Sequence, residues 1–155
     1  MKIKNKKNYS EKNSIKQTEI KLTEKDTKLI KFLSEKYISN VEKMFLLASP
    51  KGVDFYVGVQ PVLFQKSNKT PFELQKEKYV NAKYGQKLSL YFEKSYDLME
   101  EGLRQLSNKY DGKIKILNTR YIFNDDSRDI FRDNVHFLDY ANEIVAEKFF
   151  LEIRN

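Results

Sequence analysis

The sequence predicts an α/β fold, helix-rich and with few strands, and three observations carry that expectation. The run Val53-Asp54-Phe55-Tyr56-Val57-Gly58-Val59-Gln60 is apolar or small on both faces from Phe55 to Val59. That pattern marks a strand covered on both sides, as in parallel sheets. A second, shorter strand pattern follows at Lys113-Ile114-Lys115-Ile116-Leu117. The segments between the two are helix-patterned, and strands joined by a helical crossover form a right-handed βαβ unit. Two parallel strands alone leave apolar, unpaired edges, which folded proteins avoid. The chain therefore reads as the C-terminal part of a larger α/β sheet.

The elements follow in order. Residues 1–22 hold few apolar residues and no sustained period, so they read as a basic, disordered tail ahead of one partial domain over 23–155. Thr23-Glu24-Lys25-Asp26 is a helix entry with Thr23 as N-cap and acids in the first turn. Leu29, Ile30, Leu33, Tyr37, Val41, Met44 and Phe45 continue it as one apolar stripe, ended by Ser49-Pro50-Lys51-Gly52. After the first strand, Thr70-Pro71-Phe72-Glu73 starts a second helix: cap, proline at the first helical position, and Glu73 closing the capping box. A break near Gly85 separates it from a long amphipathic helix carrying Leu88, Tyr91, Phe92, Tyr96, Met99, Leu103, Leu106 and Tyr110, which Asp111-Gly112 stops. An irregular acidic loop follows the second strand. The last helix starts near Asp139 and should bury Ala141, Ile144, Val145, Phe149 and Ile153. Tyr79 and Tyr84, with the aromatic row of the long helix, read first as core or groove-facing side chains.

Composition removes several functions. The chain has no cysteine, which excludes disulfides, zinc–thiolate sites and thiol catalysis, and its single histidine argues against a histidine-rich metal site. No metal and no cofactor is implied. The net charge of +7 is uneven: residues 1–36 carry eleven lysines against five acids, whereas the other 18 basic and 17 acidic groups nearly balance. The basic residues are 24 lysines and 5 arginines. Phosphate and groove readers lean on arginine forks, so nucleic-acid binding by the tail is the least favoured function. Met1 to Leu22 has no apolar signal core, and Met44–Ala48 is far too short to span a bilayer, so the expectation is a soluble, cytoplasmic chain.

The candidate chemistry lies near the C-terminus. His136 follows Asp133 by three positions in Arg132-Asp133-Asn134-Val135-His136-Phe137-Leu138-Asp139, ahead of the last helix. A neutral imidazole takes a proton near pH 7, and a neighbouring carboxylate fixes its tautomer and stabilises the imidazolium. A lone histidine beside a helix is more often structural, and Asp133 alone could be an ordinary turn acid. Gln60 and Pro61 end the first strand, where open α/β sheets bind ligands, so they are substrate-pocket candidates against a plain strand terminus. Asp125, Asp126 and Asp129 lack the alternation and glycine of a calcium loop and read as solvated.

Three features together resemble the SGNH (GDSL-type) serine esterases and lipases. Phe131-Arg132-Asp133-Asn134-Val135-His136-Phe137-Leu138-Asp139-Tyr140-Ala141-Asn142-Glu143-Ile144-Val145-Ala146 looks like the family's last block, in which Asp-x-x-His precedes the final helix. The strand running into Val59-Gln60-Pro61-Val62-Leu63 is similar to its penultimate strand and active-site loop, and the element order between them agrees. The resemblance implies a three-layer, flavodoxin-like fold and makes His136 the general base and Asp133 its orienting acid. The substrate it implies is a small-molecule or lipid acyl ester. Ala141 stands where the family commonly has glycine. The larger departure is upstream: the Gly-Asp-Ser nucleophile run and the Gly-x-Asn-Asp run of the oxyanion hole have no counterpart, and the first glycine is Gly52. The nucleophile is thus unknown, with Ser10 and Ser14 lacking both a preceding strand and a glycine turn. The chain reads as the C-terminal half of such a hydrolase, inactive alone. The alternative is a non-catalytic assembly protein whose sheet edge pairs with a partner chain, which could supply the N-terminal half.

Overall fold

A computed structural model describes residues 20–154. Residues 1–19 and Asn155, and with them Ser10, Ser14 and most of the expected tail, lie outside the described residues. The first helix, α1 (Glu24–Ala48), starts in a capping box: the Asp26 N–H donates to Thr23 Oγ1 at 3.2 Å and the Thr23 N–H to Asp26 Oδ2 at 2.7 Å. The same carboxylate accepts from the Tyr91 hydroxyl and from Lys87 Nζ at 3.1 Å. The Tyr91 hydroxyl, with the Thr23 groups, holds Asp26 well below the usual carboxylate range. The cap of α1 is thereby tied to the start of α3 (Lys87–Lys109), which packs alongside it. Gly102 lets the two helices touch, because a Cβ there would lie 2.5 Å from Ile38 Cγ1.

The strands β1 (Phe55–Val57) and β2 (Ile114–Ile116) pair in parallel, Phe55 with Ile114, Tyr56 with Lys115 and Val57 with Ile116. The fold is thus α/β and helix-rich with a short two-stranded parallel sheet. β1 is shorter than its apolar run suggests because its last groups leave the ladder. The Gly58 carbonyl accepts from the Tyr37 hydroxyl at 3.4 Å and the Val59 carbonyl from Thr119 Oγ1 at 2.7 Å. Gly58 permits this approach, since a Cβ would sit 2.7 Å from Thr119 Oγ1 and 3.0 Å from the Leu117 carbonyl oxygen. Alternate side chains of a strand face opposite sides. Phe55, Val57 and Ile114 join the core formed with α1 and α3 through Val41, Phe45, Tyr96, Leu103 and Leu106. The other face carries half-buried Tyr56 and exposed Lys115, so the expectation of cover on both faces is corrected.

The reason is where the last helix goes. α4 (Asp139–Arg154) packs through Tyr140, Ala141, Ile144 and Val145 onto a second apolar cluster of Leu63, Phe123, Ile130 and Phe131, away from the strands. Ile153, expected inside, is exposed, and Phe149 is only half-buried. α2 (Pro71–Tyr84) begins at the expected Thr70 capping box. The stripe on α1 is also narrower than the sequence suggests: its members Leu29, Leu33 and Met44 are exposed, as is Leu47 on the same side. At about 100° per residue they occupy an arc of about 60°, opposite Lys31, Glu35 and Glu42 on the side that meets α3. Among the described residues no helix is long and apolar enough to cross a membrane.

Candidate active site

The dyad sits at the tip of a tight hairpin. Phe131 bridges Phe137 in antiparallel fashion, the Arg132 N–H donates to the His136 carbonyl at 2.8 Å, and the Leu138 N–H donates to the Ile130 carbonyl at 2.8 Å. Phe123, Phe131 and Phe137 pack edge to face with ring centroids 5.3–5.9 Å apart, which seats the hairpin on the second cluster. Within the turn, Asp133 Oδ1 accepts from the N–H groups of Val135 (2.9 Å) and His136 (2.8 Å), and Oδ2 lies 2.7 Å from His136 Nδ1. One carboxylate therefore shapes the loop and orients the ring.

This arrangement suits proton transfer. With Nδ1 facing Asp133, the tautomer that donates to the acid leaves Nε2 as the basic nitrogen. The His136 side chain is 71% exposed, so that nitrogen is open to an incoming group. Partial burial works against the charged form of Asp133, yet the two backbone N–H groups and the His136 ring outweigh it and hold the carboxyl below its ordinary value of 3.8. A depressed carboxyl stabilises the loop above its unfolded value and loses that contribution as pH falls through its folded one. On acid titration, the protonation step seen at the Asp133 carboxyl carbon is therefore expected to have its midpoint below 3.8. A midpoint above 3.8 would contradict the hydrogen bonds.

The loop after β1 holds the tip from the other side. Gln60 Nε2 donates to the Val135 carbonyl at 2.6 Å, and the Leu63 N–H donates to the Asn134 carbonyl at 3.1 Å. Gln60 is thus brought to the dyad as a support for its loop, while Pro61 is buried. Among the described residues no hydroxyl or amine hydrogen-bonds the His136 ring. A cleft of about 530 Å³ is lined by Thr70, Arg128, Asp129, Leu138 and Tyr140, without His136 or Asp133. Another of about 350 Å³ lies beyond the strands against Val59, Leu103, Leu117 and Tyr121. Two acids of the preceding loop are engaged: Asp126 binds Arg128 and Asp129 accepts from the Thr70 hydroxyl. Among the described residues no group of three or more His, Cys, Asp or Glu side chains is placed to hold a metal ion.

No protein-family model, curated protein or solved structure matches the chain. The dyad therefore has to be judged on its own geometry. Sequence reasoning found its two members but missed what supports them. Nothing in the sequence signals that Gln60 reaches the Val135 carbonyl, or that Lys66 and Glu73 are buried 2.6 Å apart.

Proposed function

We propose that the chain carries the general-base half of an SGNH-type ester hydrolase, built as the C-terminal part of a three-layer, flavodoxin-like sheet. The observation supporting this most directly is the 2.7 Å contact of His136 Nδ1 with Asp133 at the mouth of the last helix. In that reading His136 Nε2 takes the proton of a serine hydroxyl as it attacks an acyl ester and returns it to the leaving alcohol. Asp133 holds the ring and stabilises the imidazolium. The serine and its oxyanion donors come from polypeptide lying along the edge of β1 that no described strand pairs. Alone, the chain is expected to show no labelling by a fluorophosphonate probe and no ester hydrolysis above background. Joined to a segment bearing Gly-Asp-Ser and Gly-x-Asn-Asp, it is expected to label and turn over ester, and His136→Ala is expected to abolish turnover. Turnover that survives His136→Ala would defeat the proposal.

A second reading is favoured by two separate features, the exposed row Leu29, Leu33, Met44 and Leu47 on α1 and the edge of β1 that no described strand pairs. It makes the chain an assembly protein that pairs this edge with a partner. Light scattering separates the two needs, because a monodisperse folded monomer removes the requirement for a partner chain.

A further inference from the structure

The side chains of Lys66 and Glu73 are 1% and 0% exposed and lie 2.6 Å apart. A capping box needs only the bonds between Glu73 and Thr70, and such boxes work at the surface. Here the carboxylate does more. Glu73 Oε2 accepts from Lys66 Nζ and from the Thr70 N–H at 3.0 Å. Oε1 reaches across the fold to the N–H groups of Ile130 at 2.8 Å and Phe131 at 3.3 Å. Lys66 Nζ also donates to the Arg128 carbonyl at 2.7 Å. Every one of these long-range bonds ends on residues 128–131, the strand that enters the dyad hairpin.

A buried pair is weak evidence for stability but a strong constraint on geometry, since each unmet group would be costly. Ile130 and Phe131 are also the residues through which the hairpin is aligned, by the Leu138–Ile130 bond and the Phe131–Phe137 bridge. A slip of this strand would carry the Arg132–His136 bond, and the ring with it, away from Asp133.

We propose that Glu73, supported by Lys66, is a positioning residue for His136: it fixes the alignment of the hairpin that holds the imidazole against Asp133. Its meaning for catalysis rests on the ester-hydrolase reading, but the geometry is testable without it. The chain has one histidine, so a single pair of ring ¹⁵N resonances reports the tautomer without assignment. At a pH where a free imidazole is neutral, the native protein is expected to show the Nδ1–H form and D133N to lose it. The double variant Lys66→Met with Glu73→Leu keeps an apolar core of similar volume and removes the acceptor. It is expected to lose the Nδ1–H form to the extent that D133N does, while Lys66→Met with Glu73→Gln, which restores an acceptor, regains it. A folded Leu variant with a native ring signature overturns the proposal. A native tautomer in D133N sinks the dyad, and with it the function above, whatever Glu73 does. Should the Leu variant fail to fold, hydrogen exchange in the unaltered protein decides. The Ile130 and Phe131 amides must then exchange far more slowly than exposed loop amides, and exchange at the loop rate overturns the proposal.

Discussion

Glu73→Ala is expected to cost about 3–5 kcal/mol of folding stability, the range for breaking a buried ion pair by removing one partner. Three penalties coincide in this variant. The Lys66 ammonium, 1% exposed, keeps only the Arg128 carbonyl as an acceptor. The buried N–H groups of Ile130 and Phe131 lose theirs, and α2 loses half of its capping box. The urea midpoint should fall with little change in slope, which marks lost stability rather than an altered denatured state. A loss below about 1 kcal/mol would be the size of a surface pair and would mean that water reaches the site. Replacing both partners by apolar residues should cost less than removing one, because no unpaired charge is left behind.

Phe131→Ala is expected to cost about 3–5 kcal/mol, the usual range for emptying a buried aromatic site. The ring is 0% exposed and meets both Phe123 and Phe137 edge to face. The cavity would open at the base of the dyad hairpin, so the same variant should also loosen the bridge to Phe137 and lose the Nδ1–H form of His136. Phe131→Leu, which refills most of the space, should keep more of both. Stability loss with an unchanged ring signature would show that the hairpin is held by its tip alone, through Gln60 and Leu63. Neighbouring Arg132 is exposed, and its truncation should fall within about 0.5 kcal/mol.

The helix boundaries were legible because they are written locally. Thr23 with Asp26 and Thr70 with Glu73 are capping boxes three residues wide, and Asp111-Gly112 supplies the left-handed backbone, φ +53° and +75°, that follows α3. Asp133 and His136 were legible as a candidate pair for the same reason, since both lie in one turn. Strand length and burial were not. Whether Val59 stays in the ladder depends on Thr119, 60 positions away, and whether Leu33 is covered depends on what lies beside α1.

The sequence by itself determined the order of helices and strands, their caps, and that the lone imidazole shares one turn with an acid. Each of these depends on residues within a turn or two of one another, where spacing fixes geometry. Only the tertiary structure decided that the sheet is covered on one face, that Gln60 braces the dyad loop, and that Lys66 and Glu73 are sealed beneath it. Those outcomes depend on which distant surfaces exclude water together, and a charged residue carries no local mark of whether its neighbours in space will do so.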